Sequence, residues 1–162
     1  MMLYIVRHGL AGEHGDPRYP DDRLRPLTVE GRKRFTCSVN KVVPLGMKPE
    51  GVASSPLVRC RQTADLLSEA LPARPAVTEL ESLAPDSNLI DLIAWTSEQG
   101  DRDVAWVGHA PDVGRLVAEL IGDGGSTIRL AKGAIAAIRF EKSIHRGGGE
   151  LCWLLTAKVL GC

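Results

Sequence analysis

A chain of 162 residues, 44% of them hydrophobic, is long enough to bury the core of one domain and short for two. Lys and Arg total 20, as do Asp and Glu, which argues against a nucleic acid or an anionic membrane as the main partner but leaves room for a local basic pocket. "MMLYIV" is too short and too soon charged for a signal peptide or membrane span, and the cysteines at 37, 60, 152 and 162 show no C-x-x-C pair and no disulfide framework. The expectation is one domain over residues 1–162, monomeric and cytoplasmic, with reduced thiols.

In chain order, Leu3 to Val6 form an unbroken apolar run that predicts a strand covered on both faces. Residues 10–27, rich in Gly, Asp, Pro and Arg, predict a long loop of the kind that often carries function. "LTVEGRKRF" starts a helix with Thr28 as N-cap. "GVASSP" is a short strand and turn, and "PLVRCRQTADLLSEAL" a helix with Pro56 in its first turn and an apolar stripe at Thr63, Leu66, Leu67, Ala70 and Leu71. Residues 72–88 are expected to be irregular.

"NLIDLIAWTSEQG" is a helix closed by Gly100, "DVAWVGH" a second buried strand, and "APDVGRLVAELIG" the helix after it. "GAIAAIRFE" and "ELCWLLTA" are strands joined through "HRGGG". Strands alternating with helices predict an α/β fold with a mostly parallel sheet, and the closing hairpin makes that sheet mixed.

Ligands of open α/β sheets sit beyond the carboxyl ends of the strands. Three such junctions carry cations: Arg7 and His8 end the first strand, Arg59 lies in the first turns of a helix, and His109 ends "WVGH". Each on its own reads as an ordinary solvated or hydrogen-bonded residue. Brought together, and with helix N-termini facing the same edge, they make an anion site, with phosphate the obvious anion. The chain has no G-x-x-x-x-G-K-[ST], no Cys with Arg six positions on, no G-x-S-x-G and no metal-binding spacing among His8, His14, His109 and His145. What remains is an imidazole nucleophile in an arginine-rich pocket, with no cofactor and no metal.

"VRHG" at 6–9, "SSPLVRCRQTA" at 54–64 and "VGH" at 107–109 resemble the histidine phosphatase, or phosphoglycerate mutase-like, superfamily. "RPLTVEG" at 25–31, "GAIAAI" at 133–138 and the compact length are most similar to its SixA-type phosphohistidine phosphatases. The resemblance implies a three-layer α/β/α sandwich and a covalent intermediate on His8. It further implies phosphoryl binding by Arg7, Arg59 and His109, and substrate binding by Arg25 at the rim. Gly9 is expected to keep the backbone bare enough for close approach.

One departure concerns the general acid. Many superfamily phosphatases have a glutamate in the stretch that is "TELESLAPDSN" here. Glu79 and Glu81 are the candidates, Ser82 stands near the expected place, and both glutamates read equally well as solvated loop charges. The implied substrate is a phosphohistidine-carrying phosphotransfer protein. The alternatives are a small phosphate ester such as a sugar phosphate, or a silent phosphate-binding module, against which the intact Arg7, His8, Arg59 and His109 count.

Overall fold

The computed structural model describes all of residues 1–162. The apolar run near the start becomes β1 (Met2–Arg7), which sits inside a six-stranded sheet. Its other strands are β2 (Gly51–Ser54), β3 (Val77–Glu79), β4 (Val104–Gly108), β5 (Ile135–Arg139) and β6 (Glu150–Leu155), in the order β3-β2-β4-β1-β5-β6. The pairs β1–β4, β4–β2 and β2–β3 are parallel, while β5 runs antiparallel to both β1 and β6. This is the mixed, mostly parallel sheet expected.

Four helices, α1 (Val29–Val42), α2 (Val58–Ala70), α3 (Leu89–Glu98) and α4 (Asp112–Leu120), cover the two faces. Alternate strand residues point to opposite faces. Leu3, Ile5, Val104, Trp106, Ala136 and Ile138 pack with Leu92 of α3 and Leu116 of α4. Their neighbours Tyr4, Val6, Ala105, Val107, Ile135 and Ala137 pack with Phe35 of α1 and Leu67 of α2. Both faces of the central strands are therefore apolar, which is why their sequences do not alternate.

Helix ends follow the local chemistry. Thr28 Oγ1 accepts from the Gly31 amide at 2.9 Å, and Asn88 Oδ1 accepts from the Ile90 and Asp91 amides. Gly100, at φ +68°, follows α3. Gly31 lets α1 meet the first loop, since a Cβ there would run into the Leu10 carbonyl oxygen.

The structure corrects four expectations. Pro56 precedes α2 rather than sitting in its first turn, because the Ser55 side chain and Leu57 shape the entry. The fully buried face of α2 is Cys60, Thr63, Ala64, Leu67 and the following Leu71, with Leu66 and Ala70 only partly covered. Residues 72–88 contain β3, an edge strand too short for a periodic signal, and a 3₁₀ turn at Glu81–Leu83.

The fourth correction is a Cys37–Cys162 disulfide with Cα atoms 5.8 Å apart, where reduced thiols were expected. The two residues are 125 apart in sequence and meet because residues 156–162 turn back onto α1, where Lys41 Nζ donates to the Leu160 carbonyl at 2.6 Å. Cys60 and Cys152 are free. Closing so long a loop restricts the unfolded chain, so Cys162→Ser is expected to lower the unfolding free energy by about 2–4 kcal/mol. Urea unfolding of wild type with and without dithiothreitol checks it; coincident curves would show that the bond contributes nothing.

Candidate active site

The strands that carry the three cationic junctions, β2, β4 and β1, are consecutive in the sheet. Register levels their carboxyl ends: Arg7 pairs with Gly108, and Ser54 with Val107. The ladder runs one residue further on each side, with the His8 amide donating to the Gly108 carbonyl at 3.0 Å and the Ser55 amide to the Val107 carbonyl at 2.9 Å. Arg7, His8, Arg59 and His109 are thereby gathered around one cavity of about 590 Å³.

His8 is almost fully buried, and its ring lies 5.3 Å from that of His109. Its Nδ1 is 2.7 Å from the Gly9 carbonyl oxygen. A carbonyl can only accept, so Nδ1 carries the proton and the lone pair of the neutral ring is on Nε2. Nε2 makes no hydrogen bond to the protein. Burial, with the charges of His109, Arg59 and Arg7 behind it, pushes the His8 pKa down to about 3. Burial and then Arg59 push His109 down to about 4. Both rings are neutral at pH 7, as a nucleophile requires. His109 Nε2 sits 2.9 Å from Ser55 Oγ and 3.3 Å from Cys60 Sγ, which hold the ring from below; the Cys60 thiol itself is buried, and that burial raises its pKa to about 12.

The arginines are fixed by backbone as well as by charge. Arg7 donates from Nη1 to the Leu130 carbonyl at 2.8 Å, and its buried Nε has no partner. Burial, then the nearby charge of Arg129, lowers its pKa. Arg59 donates to the Asp22 carbonyl at 2.8 Å, and its buried Nε is likewise unpartnered. A guanidinium buried with an unmet donor is costly, and an anion in the cavity could offset that cost. Thr63 ties the two elements together, accepting from the Gly9 amide at 3.1 Å and donating to the Arg59 carbonyl at 2.7 Å.

Arg25 lies in the cavity wall and is buried, with Nε donating to Asp22 at 2.8 Å and Nη1 to the Gly12 carbonyl at 2.6 Å. Gly9 lies outside this cavity and lines a neighbouring one, where a Cβ would press on Leu27 at 3.3 Å. Glu79 and Glu81 do not line the cavity either; they are exposed and paired with Arg61 and Arg23, each at 3.0 Å.

Asp22 carries no signal in the sequence that sets it apart from its neighbour Asp21. Its carboxylate bridges Arg25 at 2.8 Å, Arg59 at 3.1 Å and His14 at 2.9 Å. The Arg25 hydrogen bond, then His14 and the charge of Arg59, hold it well below the usual carboxylate range. It lies in the 10–27 loop beside an equally plausible Asp21, and only the loop's path selects it. Asp86 and Asp112 also line the cavity. Asp86 is in the left-handed region at φ +69°, its amide donating to the Asp112 carboxylate at 3.0 Å. Thr63 had a legible signal: a hydroxyl in the buried stripe of α2. No group of three or more His, Cys, Asp or Glu side chains is arranged to hold a metal ion.

Comparison with known proteins gives a consistent picture. The family model described as histidine phosphatase superfamily (branch 1) matches residues 3–84. The chain is 31% identical over 160 residues to the phosphohistidine phosphatase SixA of Escherichia coli strain K12, covering 96% of this chain and 94% of that one. A solved structure of the protein histidine phosphatase SixA complexed with tungstate superposes with a TM-score of 0.85 at 28% identity over 99% of both chains. The alpha-ribazole phosphatase of Shigella flexneri shares the fold at a TM-score of 0.75, with 19% identity over 97% of each chain.

The neutral rings set a pH dependence. Their native pKa values lie below the unfolded value of about 6.5, so the unfolded state binds more protons between that pH and about 4, and stability falls as pH drops. If both rings contribute fully, the slope is about 3 kcal/mol per pH unit. Urea midpoints between pH 7 and 4.5 should fall less steeply in a His8→Asn/His109→Asn double variant, and the Cε1 proton shifts of both rings should stay constant from pH 8 to 5. A half-titration of either ring near 6.5 would show that burial does not govern it.

Proposed function

The chain belongs to the histidine phosphatase superfamily and is a phosphatase of the histidine-nucleophile type, and from that premise we propose that it hydrolyses phosphohistidine on a phosphotransfer protein through a covalent intermediate on His8. The single observation that carries this reading is the free Nε2 of a neutral His8, held by its Nδ1–H in a cavity shared with two arginines that have unmet donors.

Nε2 attacks phosphorus in line with the scissile N–P bond, and the electron pair of that bond passes to the leaving imidazole. Arg7 and Arg59 neutralise the phosphoryl oxygens as charge spreads over them. His109, neutral and propped by Ser55, donates a hydrogen bond to one of those oxygens. Water then attacks phospho-His8 and releases phosphate, restoring Nε2. The substrate ring can leave neutral when its other nitrogen carries a proton, so no strong acid is needed.

The carboxylates agree with that economy. Asp22 and Asp112 are tied to arginines, while Glu79 and Glu81 lie outside the cavity. The second reading, a small-molecule phosphomonoesterase, is supported by Asp86 and Glu13, which line the cavity and are not held in ion pairs. An alkoxide leaving group needs a proton donor, typically contributing about 10²–10⁴-fold, and Asp86 is the residue this reading would require. We further propose that residues 1–162 act as one domain, as a monomer, without cofactor. No helix is long and apolar enough to cross a membrane. The inference of a cytoplasmic location loses its cysteine argument to the Cys37–Cys162 bond, and phosphotransfer signalling becomes its remaining support.

His8→Ala is expected to remove essentially all turnover with the fold intact, and rapid quench of wild type with labelled substrate should trap acid-labile, base-stable phosphate. Arg59→Ala should lower kcat by about 10²–10³-fold. A His8→Ala variant that kept a substantial fraction of the wild-type rate would end the mechanism.

For the substrate, kcat/KM on a phosphohistidine protein and an activated aryl phosphate should far exceed that on a hexose phosphate, and Glu79→Gln and Glu81→Gln should change none of them. Efficient hexose phosphate turnover that collapses in Asp86→Asn would establish the second reading instead.

A further inference from the structure

Arg7 lines three cavities. Besides the catalytic one, it lines a cavity bounded by Pro111, Gly114 and Ile128, and one of about 320 Å³ that shares Arg7, Leu10 and Lys132 with the catalytic one. The lining of this last cavity includes four cations, Arg7, Arg34, Arg129 and Lys132, and no acid. Arg34, Arg129 and Lys132 are exposed and have no ion-pair partner, and no carboxylate lines the space they share with Arg7. In a chain of zero net charge, that is a local concentration of unrelieved like charge. Arg129 is close enough to Arg7 to act on its guanidinium.

Gly9, Gly31 and Gly133 line the cavity, and at each a Cβ would meet packed protein, Leu27 at 3.3 Å, the Leu10 carbonyl oxygen and Phe35 at 3.4 Å, so the glycines let the end of β1, α1 and the segment before β5 close up around this space. The charge is also directional. Glu13, Asp86 and Asp112 line the catalytic cavity and are absent from this one, so an acidic substrate flank is drawn to the Arg34 side and repelled from the Asp86 side.

We propose that this cavity is a second anion subsite, and that it binds Asp and Glu side chains flanking the phosphohistidine of the protein substrate. The identity of the substrate rests on the function proposed above; the existence of the subsite does not. Contiguity through Arg7 means that one ligand can fill both cavities, phosphoryl group in one and carboxylates in the other. Such contacts act on encounter and on KM, and they weaken with salt.

The test separates binding from turnover. Anisotropy of a fluorescein-labelled Asp/Glu-rich peptide should show Kd rising by about tenfold or more in Arg34→Glu/Arg129→Glu, and by less than about twofold in Lys48→Glu, a charge reversal at an exposed position just ahead of the amino end of β2 and outside both cavities. Wild type should prefer a phosphohistidine peptide with Asp/Glu flanks over one with Asn/Gln flanks, and the preference should vanish in Arg34→Glu. That variant, exposed on α1 and outside the catalytic cavity, should keep its kcat/KM on an aryl phosphate.

Equal peptide binding by wild type and the double variant overturns the subsite, as does a wild type that ignores the acidic peptide but binds anionic lipid vesicles. A wild type that binds the acidic peptide through Arg34 and Arg129, yet hydrolyses neither phosphohistidine peptide, overturns the proposed substrate and supports the subsite.

Discussion

Parallel pairing of β1 with β4, and of β4 with β2, is the constraint on which the site depends. Arg7, His8, Ser54, Ser55 and Gly108 end three adjacent strands at one level, and main-chain hydrogen bonds hold the His8 and Ser55 amides there. A slip of one residue in β1 would turn His8 to the opposite face and move Leu3 and Ile5 between the two cores. The apolar packing on both faces resists that slip, so burial energy is what places the nucleophile.

That placement creates an electrostatic problem, and the structure meets it in two ways. Cations gathered in a partly desolvated cavity repel one another, and imidazoles among them stay neutral. Asp22 relieves part of the repulsion by bridging Arg25 and Arg59. The unmet donors of Arg7 and Arg59 are left for the ligand. Neutral His8 and charged arginines thus have one origin: burial disfavours both charged forms, but an imidazolium loses its proton near neutrality and a guanidinium does not.

The same surface separates two kinds of charge. Acids and cations both line the catalytic cavity, while every charged residue that lines the neighbouring cavity with Arg34 is a cation. A net charge of zero conceals this division, because a sum over the chain carries no information about position.

By itself the sequence determined what depends on neighbours in the chain. Leu3–Val6 and Val104–Gly108 read as strands from their apolar runs, Thr28 and Gly100 as helix ends from their local chemistry, and Arg7, His8, Arg59 and His109 as polar residues at strand-to-helix junctions. Those four converge because β2, β4 and β1 are consecutive and parallel, so their carboxyl ends share one edge of the sheet. Tertiary structure alone decided what depends on residues distant in sequence. The path of the 10–27 loop selects Asp22 over Asp21 as the bridge between arginines. The fold-back of residues 156–162 brings Cys162 to Cys37 across 125 residues. β3 and the 3₁₀ turn after it place Glu79 and Glu81 outside the cavity, where they pair with Arg61 and Arg23, and Arg34 meets Arg129 and Lys132 only because α1 and the segment before β5 enclose one space. Local propensity is set by a few consecutive residues, whereas a salt bridge, a disulfide or a shared cavity is set by where the packed core brings remote segments to the surface.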